Sequence, residues 1–227
     1  MVDDPLRLTR HSYVQVTALL LWDNLPRLLL ASLFFSLLWA PTLLLSMLGL
    51  WAPMLFVGWL LTFPGWSALL ALEAALAEGR PAPIALFWRS FGRLWTRSVG
   101  LGAAMGFPIG IAWVTLLLVG PTAPPSPVVW AGLAADGVVL VLLACLALYA
   151  VPLFALHDQR LGQALRNSLI LASRHVTNTF GLLAMGVLCA LSIFTISPGL
   201  LFVLPAVWGM FLINNCRMLV AEETGRT

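Results

Sequence analysis

LLLASLFFSLLWAPTLLLSMLGL, residues 28–50, contains no ionisable side chain. A bilayer hydrocarbon core is crossed by about 20 apolar residues in a helix, so this run reads as a membrane span. It is also longer than the hydrophobic part of a secretory signal, and Asp3, Asp4 and Asp23 precede it, so it is expected to be retained rather than cleaved. Similar runs recur along the chain. The second span continues to Ala77 after the uncharged turn Trp51-Ala52-Pro53, is interrupted at Pro64-Gly65, and stops at Glu78-Gly79-Arg80-Pro81. The third is Ser98–Val119, the fourth begins near Val128 and ends near Leu156, the fifth is Val176–Ile196, and the sixth ends near Asn215.

The whole composition agrees. Of 227 residues, 61% are hydrophobic and 9% charged, and the mean hydropathy is +0.98. Soluble domains are about a quarter charged. The expected fold is therefore an all-α integral membrane protein of six transmembrane helices, with segment 1–27 at the surface, the membrane domain over 28–216 and a polar tail over 217–227. Tyr13–Trp22, too short to span, is expected at the interface.

Two further segments are amphipathic and too short to cross. In Ile84–Arg97, Phe87, Phe91, Leu94 and Trp95 form one stripe, and Arg89, Arg93 and Arg97 recur every fourth residue on another. In Leu161–His175, Leu165, Leu169 and Ala172 oppose Arg166 and Arg174. Both are expected to lie flat on the membrane, gathering Arg89, Arg93, Arg97, Arg166 and Arg174 into one basic patch that contacts lipid phosphates or an acidic partner. The stretches 88–106 and 165–186 also resemble each other: Arg89 and Arg97 align with Arg166 and Arg174, and Ala104-Met105-Gly106 with Ala184-Met185-Gly186. This suggests a parallel internal repeat of inward span, flat basic helix and outward span.

All twelve basic residues are arginine, and every one falls in a segment assigned to the same side. The loops at 51–53, 121–127 and 197–199 carry none. The positive-inside rule then puts both termini in the cytoplasm. Trp51 and Trp130 mark the outer edge, and Trp22, Trp88 and Trp95 the inner one. The pI near 9.1 does not imply nucleic acid, because the arginines flank apolar runs instead of forming a stripe.

The chemistry-bearing residues are few. Cys145, Cys189 and Cys216 are far apart in apolar segments and read as small buried hydrophobes; no spacing suits a metal or a disulfide. His157 and His175 read as charges of the inner interface. No Ser/His/Asp set, HExxH or P-loop occurs, so neither an enzyme nor a bound cofactor is expected. Asp136 is the one acid away from the arginine side. Either it lies within the fourth span as a functional acid, or Ala135-Asp136-Gly137 is an outer turn, Val138–Leu156 spans alone and Asp136 caps it. Pro64-Gly65 is either a helix kink or, with Asp136, the lining of a solute path. Gly102, Gly106 and Gly110 form a face for close helix approach, inside the monomer or between two copies.

Asn24-Leu25, Gly65-Trp66-Ser67-Ala68-Leu69, Glu78-Gly79, Phe87-Trp88-Arg89-Ser90-Phe91, and Ala164-Leu165-Arg166-Asn167-Ser168 with Arg174-His175 together resemble the YesL-like family of bacterial membrane proteins, a domain of unknown function. Ala71 stands where the family has an aromatic residue, and Glu73 where it has a basic or neutral one. The resemblance implies a bacterial inner-membrane protein linked with carbohydrate uptake. The expected function is a non-catalytic accessory protein whose partners are membrane lipids and a permease or other membrane protein; the alternative is a small secondary transporter with a broken second span, and a homodimer is compatible with either.

Overall fold

The computed structural model describes residues 13–119, 126–223 and 225. Arg7, Arg10, His11, Arg226 and most of the 121–127 loop lie outside them. The described residues fold as helices: α1 Tyr13–Asp23, α2 Leu25–Leu37, α3 Ala40–Met47, α4 Trp51–Ala77, α5 Ala85–Val119, α6 Pro127–His157, α7 Leu161–Arg174, α8 Val176–Thr195, a 3-10 turn Pro198–Phe202, and α9 Leu204–Glu223. Six stretches are long and apolar enough to cross a membrane: Leu25–Met47, Trp51–Ala77, Ala85–Leu116, Pro127–His157, Val176–Thr195 and Leu204–Glu223. The fold is an all-α polytopic membrane bundle. Because successive spans reverse direction, the described arginines lie at or near one end of it, the arginine end.

Local chemistry sets the turns. Gly49 (φ +70°) ends α3 and Gly79 (φ +67°) ends α4, in a conformation that costs a Cβ-bearing residue. Each lets the next amide reach back to the helix, Leu50 N–H to Leu45 O at 3.0 Å and Arg80 N–H to Ala75 O at 2.8 Å. The turn after the first span is thus Gly49-Leu50, and Trp51 and Pro53 already belong to α4.

Breaks fall elsewhere than the sequence suggests. The first span is the divided one, α2 stopping at Leu37 and α3 restarting at Ala40. Pro41 is the cause: it lacks an N–H and its ring crowds the Leu37 carbonyl. The second span, expected to break at Pro64-Gly65, stays one helix of 27 residues. Segment 84–97 is amphipathic as expected but is no separate flat helix. It continues without a breaker into the third span as one helix of 35 residues, about 52 Å long and well beyond a 30 Å hydrocarbon core. Its aromatic stripe meets protein: Phe87 and Leu94 are fully buried, and Phe87 packs beside Phe34. The second segment, α7, is a distinct helix, parted from α8 at His175. The repeat alignment gives a reason for the difference. The second copy is three residues longer between its arginine and its Ala-Met-Gly triplet, and the break at His175 falls within that longer stretch.

The core sits in the arginine half. Leu70, Ala74, Leu94, Tyr149, Phe154 and Ile213 form one buried cluster, and Leu28, Phe35, Leu69, Leu72, Phe87 and Met210 form another beside it. Alanines 68, 71, 74 and 75 let neighbours approach α4 closely, which is how helices gain contact in a solvent as apolar as themselves. The far half exposes Leu43, Met47, Phe107, Val128 and Phe194, the kind of surface lipid covers. α1 closes the bundle against α9, with Tyr13 edge-on to Phe211 at 6.3 Å.

Candidate functional site

Two groups of residues carry polar chemistry, one at the arginine end and one within the bundle. At the arginine end, α6 closes on Asp158, held at φ +50°, a conformation Asp tolerates better than most residues. Arg97 donates to its carboxylate at 2.5 Å and to its backbone carbonyl at 3.0 Å. Arg174, the repeat counterpart of Arg97, is paired with Glu223 at the end of α9, and His175 Nε2 lies 3.7 Å from the same carboxylate. Each outgoing span is thus tied at its root to the end of the span that returns. Two arginines of the expected patch are therefore braces. Arg89, Arg93 and Arg166 are exposed and have no ion pair among the described residues. Arg217, read as tail, is instead half-buried and donates to the Ala77 carbonyl at 2.5 Å, satisfying the end of α4.

Within the bundle, Pro64 and Gly65 are buried. A Cβ on Gly65 would lie 2.5 Å from Leu38 and 3.3 Å from Phe35, so the side chains at the break in the first span occupy the concavity beside the proline. Asp136 caps nothing: α6 begins at Pro127, and Asp136 lies inside it, about 14 Å along. It is half-exposed, without a hydrogen bond or ion pair among the described residues. The glycine face divides. At Gly102 a Cβ would sit 2.6 Å from Phe63 and 2.7 Å from Trp59, whose Nε1 donates to the Val99 carbonyl at 3.1 Å. At Gly106 and Gly110 nothing among the described residues lies within 4 Å of an added Cβ, so neither is a site of close approach within them.

The residue that sequence reasoning passed over is Glu73. Its side chain is 0% exposed, and both carboxyl oxygens lack a hydrogen-bond partner. It presses on Gly209 of α9, where a Cβ would meet the carboxyl group. The signal was an acid inside the apolar run ALLALEAALA; which neighbour it faces depends on the register of α4 against α9. Several other buried polar groups are matched across helices: Asn214 to Thr17 at 3.0 Å, Ser98 to Ser67 at 2.7 Å, Tyr149 to Thr179 at 3.0 Å, and Asn178 with Asn215 in both directions, whereas the Ser32, Thr42 and Ser90 hydroxyls have no partner. Among the described residues no group of His, Cys, Asp and Glu is arranged to hold a metal ion. Chemically, the arginine end can hold negative charge, while Glu73 is an acid kept from water and from counter-charge.

Compared with protein-family models, curated proteins and solved structures, the chain finds no match.

Proposed function

We propose that this polytopic membrane protein is a non-catalytic accessory subunit that docks on another membrane protein through its arginine end, facing the cytoplasm. The observation that carries the reading is the division of labour among the arginines. Arg97 and Arg174 are spent on braces, which leaves Arg89 and Arg93 outward on a root of α5 held rigid by buried Phe87 and Leu94. Exposed cations on a rigid support suit an acidic protein surface, because the backbone beneath them is already ordered and only the side-chain rotamers are fixed on binding. The resemblance to the YesL-like family supports a carbohydrate permease as the partner. Filling of the Pro64-Gly65 concavity by Leu38 and Phe35 supports a support role over a solute path there. The test is co-purification from native membranes of the parent and of an Arg89→Glu, Arg93→Glu variant. A permease component recovered with the parent, and lost by about tenfold or more in the variant or at high salt, is expected. Equal recovery from both would overturn the docking surface.

Glu73 favours a second reading, a small secondary transporter. An uncompensated carboxyl in a membrane span is costly, and such groups commonly mark ion or solute pathways. Under this reading Glu73→Gln abolishes uptake of a solute by cells or vesicles while partner recovery is unchanged; under the accessory reading neither changes.

A further inference from the structure

The exposed face of α7 is mixed in a way that neither water nor hydrocarbon alone would favour. Its buried side is Ala164, Ser168 and Leu171. The opposite side combines Gln163 and Arg166 with Leu169, 59% exposed, and Ile170, 41% exposed. α7 is about 21 Å long, too short to cross, and joins two spans at the arginine end. In water the Leu169–Ile170 pair would stay wetted. At a bilayer surface it enters the acyl boundary while Arg166 and Gln163 remain at phosphate depth.

A pocket of about 420 Å³ opens on this face, lined by Gln159, Gln163, Arg166, Asn167 and Ile170. Its polar lining is one guanidinium and three carboxamides, without an acidic side chain. The Asn167 side-chain NH₂ donates to Gln159 Oε1 at 2.9 Å, which fixes both amides and leaves the Gln159 NH₂ to donate elsewhere. The nearest acid in sequence, Asp158, is occupied by Arg97. Donors around an unpaired arginine, with an apolar rim, match a phosphate diester joined to acyl chains.

We propose that this pocket binds the phosphate of an anionic glycerophospholipid headgroup, with Arg166 as the charged anchor, Gln159, Gln163 and Asn167 as amide donors, and Ile170 against the glycerol and upper acyl chain. The site rests on the membrane fold and on α7 with Gln159 just before it, so it stands or falls apart from the docking role of Arg89 and Arg93.

The test is native mass spectrometry of the full chain released from detergent, titrated separately with phosphatidylglycerol, phosphatidylcholine and inorganic phosphate. Phosphatidylglycerol should be retained as a single preferred adduct. Arg166→Gln should weaken it about tenfold, the scale of one charge-assisted contact. Gln163→Leu should weaken it less, and Arg89→Gln should leave it unchanged. Both pocket residues are exposed, so either variant suffices if the other cannot be purified. Equal retention of the two lipids, or no effect of either pocket variant, overturns the proposal. So does displacement of the lipid by inorganic phosphate at comparable concentration, which would make the pocket a site for soluble anions.

Discussion

Glu73 and Gly209 form a lock in which each residue explains the other. A fully buried carboxyl without a partner is expensive, and here it is accommodated because the facing residue of α9 has no side chain. Gly209→Ala should therefore cost about 1–3 kcal/mol, as overpacking typically does, although alanine is the better helix former. In a Glu73→Ala background the same change should cost less, because the carboxyl group is gone and what remains is Leu70 Cδ2, 2.8 Å from the added Cβ and the movable end of a side chain. Thermal unfolding of the four proteins in detergent measures this coupling. Additive effects would show that Glu73 and Gly209 do not meet. None of this was legible in the sequence, which gives the acid within an apolar run but not the face it occupies. Asp136 misled for a related reason: Ala135-Asp136-Gly137 has the composition of a helix start, yet the helix begins at Pro127 and carries the acid inside it.

Whole elements were read with more success, because a span is defined by run length, and run length survives any register. The stops at Gly79 and at His157-Asp158 were equally visible, each marked by breaking or polar residues. Proline was the poor guide. Pro41 divides its span and Pro64 does not, and the distinction lies in packing, since Leu38 at the first break fills the space beside the second. The root of α5 was misjudged because periodicity reports a face and not a junction; nothing between Arg97 and Ser98 interrupts the backbone. The glycine face yields a sharp contrast within one helix. Gly102→Leu should unfold the α4–α5 contact and lower the melting temperature by several degrees, a loss of roughly 2–3 kcal/mol. Gly106→Leu, four residues on and facing open space, should leave it unchanged within about 0.5 kcal/mol. Matching losses at the two positions would mean that α5 has a partner at Gly106 as well.

At the scale of the molecule, a packed arginine half supports a looser and more apolar far half. The orientation of this gradient follows from charge: the arginine end should face the cytoplasm. Reporter fusions after Gly49 and after Arg80 should give opposite signals, with the Arg80 fusion cytoplasmic; identical signals would refute the six-span topology. The contacts that close the bundle also have a temporal meaning. Ser36 in the first span donates to the Leu201 carbonyl at 3.0 Å, and Thr17 receives Asn214 across 197 positions of sequence. Helices made earlier are therefore completed by segments made later. Until those later segments are made, the Thr17 and Ser36 hydroxyls have only the carbonyls of their own helices, Tyr13 O at 2.7 Å and Ser32 O at 2.8 Å, so the early helices can insert without an orphaned hydroxyl and gain their cross-helix partners last.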